Sequence, residues 1–296
     1  MNRREYISAT VSLGAVAATA GCLETLTGKN PQKASGHMQN AIDIMHETTE
    51  YFDSVSSGSE SADGVEYSFD KQYVDTRVQE ARRELNRAEG LATDSQIQTI
   101  ITLRDWLDIH ETQSGLVDAM VKGVGSINRA LAFNGSGDYE RALDELEIAE
   151  SDFEVASQSI RSVREEFEDI ESQDLTGISQ IEYSDLESNI EFTENQIPEL
   201  QQKVTLYREF IKGNRDFSAG NDHLQSGDYG LAEESFQDAA SSFEEAATLS
   251  NEILEGQGDS GEPRLIRDKC LTTNYAEASS LLSEAAVKFG QQAISD

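Results

Sequence analysis

Along most of this chain apolar side chains recur at alternating steps of three and four, the spacing that holds them on one face of an α-helix. The longest unbroken run is Tyr139, Ala142, Leu146, Ala149, Phe153, Ala156, Ile160, Val163, Phe167 and Ile170. A strict seven-residue period of this kind implies left-handed supercoiling against neighbouring helices. A second seam comprises Tyr183, Leu186, Ile190, Ile197, Leu200, Val204, Tyr207 and Ile211, with Pro198 inside it. Proline removes one backbone hydrogen bond and crowds the turn before it, so a kink or a fresh start is expected there. A third seam, Tyr229, Ala232, Phe236, Ala239, Phe243 and Ala246, predicts a helix from Asp228 to about Glu255.

Three weaker patterns precede these. A first helix is expected from about Gly36 to Val55, with Ala41, Ile44, Met45, Thr48 and Phe52 inward. A second runs from about Ser68 to Ala92 on Val74, Val78, Ala81, Leu85 and Ala88. A third starts at Asp94, read as its N-cap, and extends to Phe133. Gly115, Gly123 and Gly125 weaken it by about 1 kcal/mol each relative to Ala and leave open a break there. A last helix covers Arg264 to Ala293. Polar, Gly- and Ser-containing stretches separate the helices at 56–64, 172–184 and 256–263. No run of strict alternation gives a strand candidate. The expected fold is therefore all-α: about seven helices in long antiparallel hairpins.

The pattern also repeats. Residues 116–156 match 206–246 at an offset of ninety. Leu116, Lys122 and Gly123 correspond to Leu206, Lys212 and Gly213, and Ser136-Gly137-Asp138-Tyr139 to Ser226-Gly227-Asp228-Tyr229. Tyr275, Ala278, Leu282, Ala285 and Phe289 read as a third copy of the stripe, and Ser35-Gly36-His37-Met38 with Ala41, Met45 and Phe52 as a worn fourth. Gly137 and Gly227 are suited to the left-handed conformation that closes a helix. Asp138 and Asp228 are suited to cap the next one. Gly-Asp-Tyr-x-x-Ala-x-x-x-Phe-x-x-Ala, carried by residues 227–239 and, with Leu146 for Phe, by 137–149, resembles the second half of a tetratricopeptide repeat. That resemblance implies an α-solenoid whose concave surface binds peptides or proteins. The period departs from the family's 34 residues, and the proline that ends each repeat is missing. The residues fit equally an elongated bundle of long antiparallel helices.

Charge changes the picture of partners and setting. The chain of 296 residues carries 56 acidic and 23 basic residues, a net charge of −33. Such a chain repels itself in dilute salt, and the composition resembles that of proteins from halophilic archaea. Nucleic acid is excluded as an expected partner, because phosphate binding needs basic patches and none is visible.

The first residues read as an address. Arg3-Arg4-Glu5-Tyr6-Ile7 precedes a mildly apolar run from Ser8 to Ala20, too short to span a bilayer and followed by Gly21 and Cys22. The paired arginines resemble a twin-arginine export signal. Ala20-Gly21-Cys22 resembles a lipobox, although Thr19 stands where that motif has an aliphatic residue. Together they imply a haloarchaeal lipoprotein, exported and held to the outer face of the cytoplasmic membrane by a lipid on Cys22. Residues 1–21 are then a signal peptide, 22–34 a flexible spacer and 35–296 the helical domain. With Cys22 modified, Cys270 is a lone thiol, expected as a small buried hydrophobe beside Ile266, Leu271 and Tyr275.

No chemistry-bearing set emerges. His46-Glu47-Thr48-Thr49-Glu50 lacks the second histidine of a zinc protease, and no Glu-x-x-His pair exists for a di-iron site. His110, beside the inward stripe of the third helix, is expected as a satisfied core histidine. No catalytic residue, metal or cofactor is expected. The reading is an interaction scaffold for an unknown protein partner, with a groove sought between the hairpins where Tyr139 and Tyr229 open their helices. The alternative is a helical solute-binding or sensing lipoprotein of a transport system.

Overall fold

The computed structural model describes residues 29–56, 59–61, 64–66, 68–170, 183–257 and 263–295. Among these the chain forms seven helices: α1 Pro31–Ser56, α2 Lys71–Glu89, α3 Asp94–Ser136, α4 Tyr139–Asp169, α5 Tyr183–Ser226, α6 Tyr229–Gln257 and α7 Pro263–Ser295. The stretch expected as a loop after α1 contains a small antiparallel ribbon, β1 Ser59–Ser61 with β2 Gly64–Glu66, in which Glu60 pairs with Val65. The expected all-α hairpin array is what the structure shows. Contacts divide it into two units, one of residues up to Gly115 plus Ser159–Glu191, the other of Leu116–Gln158 plus residues from Phe192 onward.

In the first unit α1 begins at Pro31, five residues before the expected start, so residues 31–34 are helix and not spacer. The reason is local: Asn30 accepts the Lys33 N–H at 3.1 Å on its side chain, and Pro31 takes the first helical position, where its missing N–H costs nothing. Asn30 N–H donates to Leu91 O at 2.8 Å, and Gln96 Nε2 donates to Pro31 O and Ser35 Oγ, so this start is tied to the turn between α2 and α3. Asp70 caps α2 by accepting from Tyr73 N–H at 3.0 Å. The cap of α3 is Thr93, not Asp94: its N–H donates to the side chain of Gln96, whose own N–H donates to Thr93 O. Val74, Val78, Ala81, Leu85 and Ala88 are all buried, as their spacing predicts. His110 is buried too, its Nδ1 3.0 Å from Trp106 O and its Nε2 3.1 Å from Thr49 Oγ1. Burial pushes its pKa down and keeps the ring neutral.

The second unit contains the repeat. Gly137 and Gly227 adopt φ of +79° and +80°. In each turn the following aspartate N–H reaches back to the preceding helix, Asp138 to Phe133 O at 3.0 Å and Asp228 to His223 O at 2.9 Å. The aspartate carbonyls then accept the first helical bonds, from Ala142 and Ala232. Both turns thus reverse the chain in the same way, closing the hairpins α3–α4 and α5–α6.

The glycines expected to weaken α3 do not break it. A Cβ on Gly123 would lie 2.7 Å from the ring of Phe153, and one on Gly213 would lie 2.7 Å from Phe243. These pairs correspond at the offset of ninety, so each hairpin seats a fully buried phenylalanine flat against the backbone of its first helix. A third contact shows how size is traded. Gly220 lies under Phe236, a Cβ there falling 2.7 Å from the ring. The equivalent residues in the first copy are Ala130 and Leu146, both buried in one cluster. The wider ring goes with the missing methyl. Likewise α5 is continuous through Pro198, whose neighbour Ile197 is buried together with Ile190, Val204, Tyr207 and Ile211. Packing of the seam on both sides of the proline outweighs one lost backbone bond.

The last helix departs most from expectation. On α7 the buried stripe is Thr272, Ala276, Ser279, Ser283 and Ala286, one position beyond the stripe expected from Tyr275, Ala278, Leu282, Ala285 and Phe289. Tyr275 is 38% exposed and Phe289 51% exposed. Cys270, expected to be buried, is exposed because the turned helix carries it to the surface. Small side chains let α7 lie close on α6. The aromatic residues pack at the flank, Tyr275 stacking 5.3 Å from Phe243 and lying 6.4 Å from Phe210.

Candidate interaction surface

In the second unit polar contacts join α5 to α3 and α4, and aromatic and small-residue contacts join α7 to α5 and α6. Between α3 and α5, Asn214 Nδ2 donates to Asn134 Oδ1 at 3.1 Å. Between α4 and α5, Arg208 pairs with Glu150 at 2.6 Å. Then α7 meets α5 through Tyr275 against Phe210 and Phe217, and meets α6 along its small-residue stripe. Leu249, Ile253 and Leu254 of α6 join one core with Ala149 and Phe153 of α4 and Val204, Tyr207 and Ile211 of α5.

On α6 and α7 lies a trough of about 720 Å³. It is lined by Glu244, Ala247 and Thr248 from α6 and by Thr273, Ala276, Glu277, Ser280 and Leu281 from α7. These side chains are mostly too short to close it. Leu281 stands on its edge, 66% exposed, the most exposed large apolar side chain among the described residues. Both charges that line the trough are carboxylates. The whole of α6 carries Glu233, Glu234, Asp238, Glu244, Glu245, Glu252 and Glu255 and no basic residue. Lys269 and Lys288 of α7 lie beyond the trough's two ends in the sequence. Nothing here resembles an acid–base pair or a nucleophile with its base. Among the described residues no group of three or more His, Cys, Asp and Glu is placed to hold a metal ion.

The two tyrosines singled out by the sequence do not line this trough. Tyr139 is half-buried against the cluster of Ala142, Leu146 and Ile127. Tyr229 stacks on Phe289, ring centroids 6.2 Å apart, and its Cβ lies 3.3 Å from where a Cβ on Gly290 would stand. Each tyrosine therefore fastens the start of its helix to a neighbour. Arg3, Arg4 and Cys22 lie outside the described residues. Sequence reasoning passed over the trough because it followed large apolar residues. The phase of Thr272, Ala276, Ser279, Ser283 and Ala286 is the signal that would have turned α7 correctly.

The other electrostatic feature lies in the first unit. Arg82 donates to Asp108 and Glu111, and Thr112 donates to Glu166 Oε1 at 2.9 Å. Glu166 Oε2 is buried with no partner. Burial, with Asp108 and Glu111 nearby, pushes the Glu166 carboxyl above its ordinary pKa. Asp105 is raised likewise, by burial and by the charges of Asp108 and Asp169.

No helix among the described residues is long and apolar enough to cross a membrane. Comparison of the chain with protein-family models, with curated proteins and with solved structures finds no match in any of the three.

Proposed function

We propose that this chain is a non-catalytic scaffold for protein–protein interaction, exported by the twin-arginine route and tethered by a lipid on Cys22 to the outer face of the cytoplasmic membrane. The observation that carries the binding part is the trough on α6 and α7, with the exposed Leu281 at its edge. The address rests on Arg3, Arg4 and the Ala20-Gly21-Cys22 phrase. The acidic surface suits a protein working in molar salt, where the Debye length is about 3 Å and its own charges are screened. Binding through shape and apolar contact then keeps its strength, whereas long-range steering is lost.

The test is recovery of the protein from membranes in molar salt, cross-linked before solubilisation. A protein partner in fixed ratio supports the scaffold. A chain recovered with no protein attached, carrying a small molecule instead, refutes it in favour of a solute-binding lipoprotein.

A further inference from the structure

We propose that the end of the first unit where α1 begins is its membrane face, and that Lys33 and Arg83 there meet the anionic headgroups of the bilayer that holds the chain. The proposal rests on the reading of Cys22 as the lipidated residue and adds how the anchored unit stands.

The leash is short. Seven Cα–Cα steps lead from Cys22 to Lys29, a reach of about 25 Å when fully extended. By comparison α1 has 26 residues and is about 39 Å long. The leash also pulls on folded structure. Asn30 N–H donates to Leu91 O, and Gln96 of α3 donates to Pro31 O and Ser35 Oγ. A lipid on Cys22 therefore holds the start of α1 and the α2–α3 turn close to the surface.

Charge decides which part of the unit that surface meets. Residues 29–40 and 83–103 carry Lys29, Lys33, Arg83 and Arg87 against Glu84, Glu89 and Asp94, in a chain of net −33. All three carboxylates are engaged. Asp94 pairs with Lys29 at 2.7 Å and Glu89 with Arg104 at 2.6 Å. Glu84 pairs with Arg87 and lies 2.6 Å from His37 Nδ1. Lys33 and Arg83 remain, both exposed and neither paired with a carboxylate among the described residues; Arg83 Nε donates instead to Gln79 O. The contacts of His37 with Glu84, Glu47 with Arg77 and Tyr51 with Tyr73 show α1 and α2 to be antiparallel. Lys33 is one turn from His37 towards the start of α1, and Arg87 one turn from Glu84 towards the end of α2, so both lie at the leashed end. From Asp43 onward α1 has carboxylates and no lysine or arginine. An anionic surface attracts this end and repels the acidic remainder, and both effects turn the unit the same way. In molar salt, with a Debye length of about 3 Å, only direct contact survives, and the leash supplies the proximity that screened attraction no longer does.

The full chain, purified with its lipid and carrying Cys270→Ser to remove the exposed thiol, is reconstituted into vesicles with an acceptor dye on their headgroups. A donor dye is placed at Gln32→Cys or at Ser54→Cys, both exposed positions, about 33 Å apart along α1. On vesicles of mixed neutral and anionic lipid the donor at position 32 is expected to transfer severalfold more than the donor at position 54. The difference should grow as salt is lowered from about 1 M. Lys33→Glu with Arg83→Glu should erase the excess seen on anionic over neutral vesicles. Lys33→Gln with Arg83→Gln should reduce it by a smaller factor, and circular dichroism checks that each variant is folded. Equal transfer from the two positions overturns the membrane face. A difference that is the same on neutral vesicles, or that neither pair of substitutions alters, overturns the headgroup contact. Mass spectrometry of the mature N-terminus distinguishes these outcomes from failure of the address: any first residue other than a lipid-bearing Cys22 sinks the tether and the proposal with it.

Discussion

The contact of Gly220 with Phe236 is a sensitive test of the packing described above. Alanine in place of a mid-helix glycine ordinarily stabilises by about 1 kcal/mol. Gly115 provides the reference, since a Cβ there meets nothing within 4 Å. At Gly220 the added carbon falls 2.7, 2.8 and 3.0 Å from three ring atoms of Phe236. Carbon atoms prefer roughly 3.5–4.0 Å, so the ring must retreat by most of an ångström. Phe236 is fully buried and meets Phe217 edge-on at 5.6 Å, so there is little room. Overpacking of this kind costs about 1–3 kcal/mol, and the net effect of Gly220→Ala is a loss of up to about 2 kcal/mol. Phe236→Leu alone loses roughly 1–2 kcal/mol from the gap it leaves. The double variant recreates Ala130 against Leu146 of the first hairpin, and the two losses should cancel in part, with a coupling of about 1–3 kcal/mol. Urea unfolding followed by far-ultraviolet circular dichroism at constant molar salt measures all four proteins. If Gly220→Ala stabilises as Gly115→Ala does, or the pair is additive, the size-exchange account is wrong.

Further expectations follow from single positions. Ser250 is buried with its hydroxyl unpartnered; Ser250→Ala should raise stability by about 1 kcal/mol in the same unfolding assay. Because the folded-state pKa of Glu166 lies above its ordinary value, its contribution to stability is intact at low pH and is lost as pH rises through that pKa. Glu166→Gln should therefore match the parent in acid and become the more stable of the two by neutral pH, and thermal melts across that range that stay parallel would refute it. Lysine at both Arg3 and Arg4 should leave an unprocessed precursor inside the cell, and Cys22→Ser should release processed protein into the medium; fractionation with an antibody reads both. Transfer from molar to millimolar salt should lower the unfolding midpoint, as expected for a chain at −33.

How far the sequence was legible depended on side-chain size. The seam of α4 was read well: Tyr139 at its start is half-buried, and Ala142, Leu146, Ala149, Phe153, Ala156, Ile160, Val163, Phe167 and Ile170 are all buried. There the large residues face the core and dominate the period. On α7 the fully covered positions are alanine, serine and threonine, which carry little hydrophobic signal, so the larger Tyr275 and Phe289, which touch α6 from the flank, drew the reading to the wrong phase. The same blindness hid the trough, whose lining is small and polar. Glycine was misjudged for a related reason. Propensity priced Gly123 as a weakness in an isolated helix, whereas its missing methyl makes room for Phe153 on the next helix. That information lies in a pair of residues and not in either one.

The ninety-residue period, the chief departure from a tetratricopeptide pattern, follows from how the two units share helices. α3, α4 and α5 each contribute to both units, α4 passing from one to the other near Gln158 and α5 near Glu191. The seam of α4 keeps its phase through that point, with Ala156 and Ile160 buried on either side. Between the two copies of the hairpin the chain therefore leaves the repeat, helps to build the core of the first unit with Val163, Phe167 and Ile190, and returns. No such excursion separates α6 from α7, where the break of 258–262 is short. That is why α7 follows so soon after α6, with Tyr275 only forty-six residues beyond Tyr229.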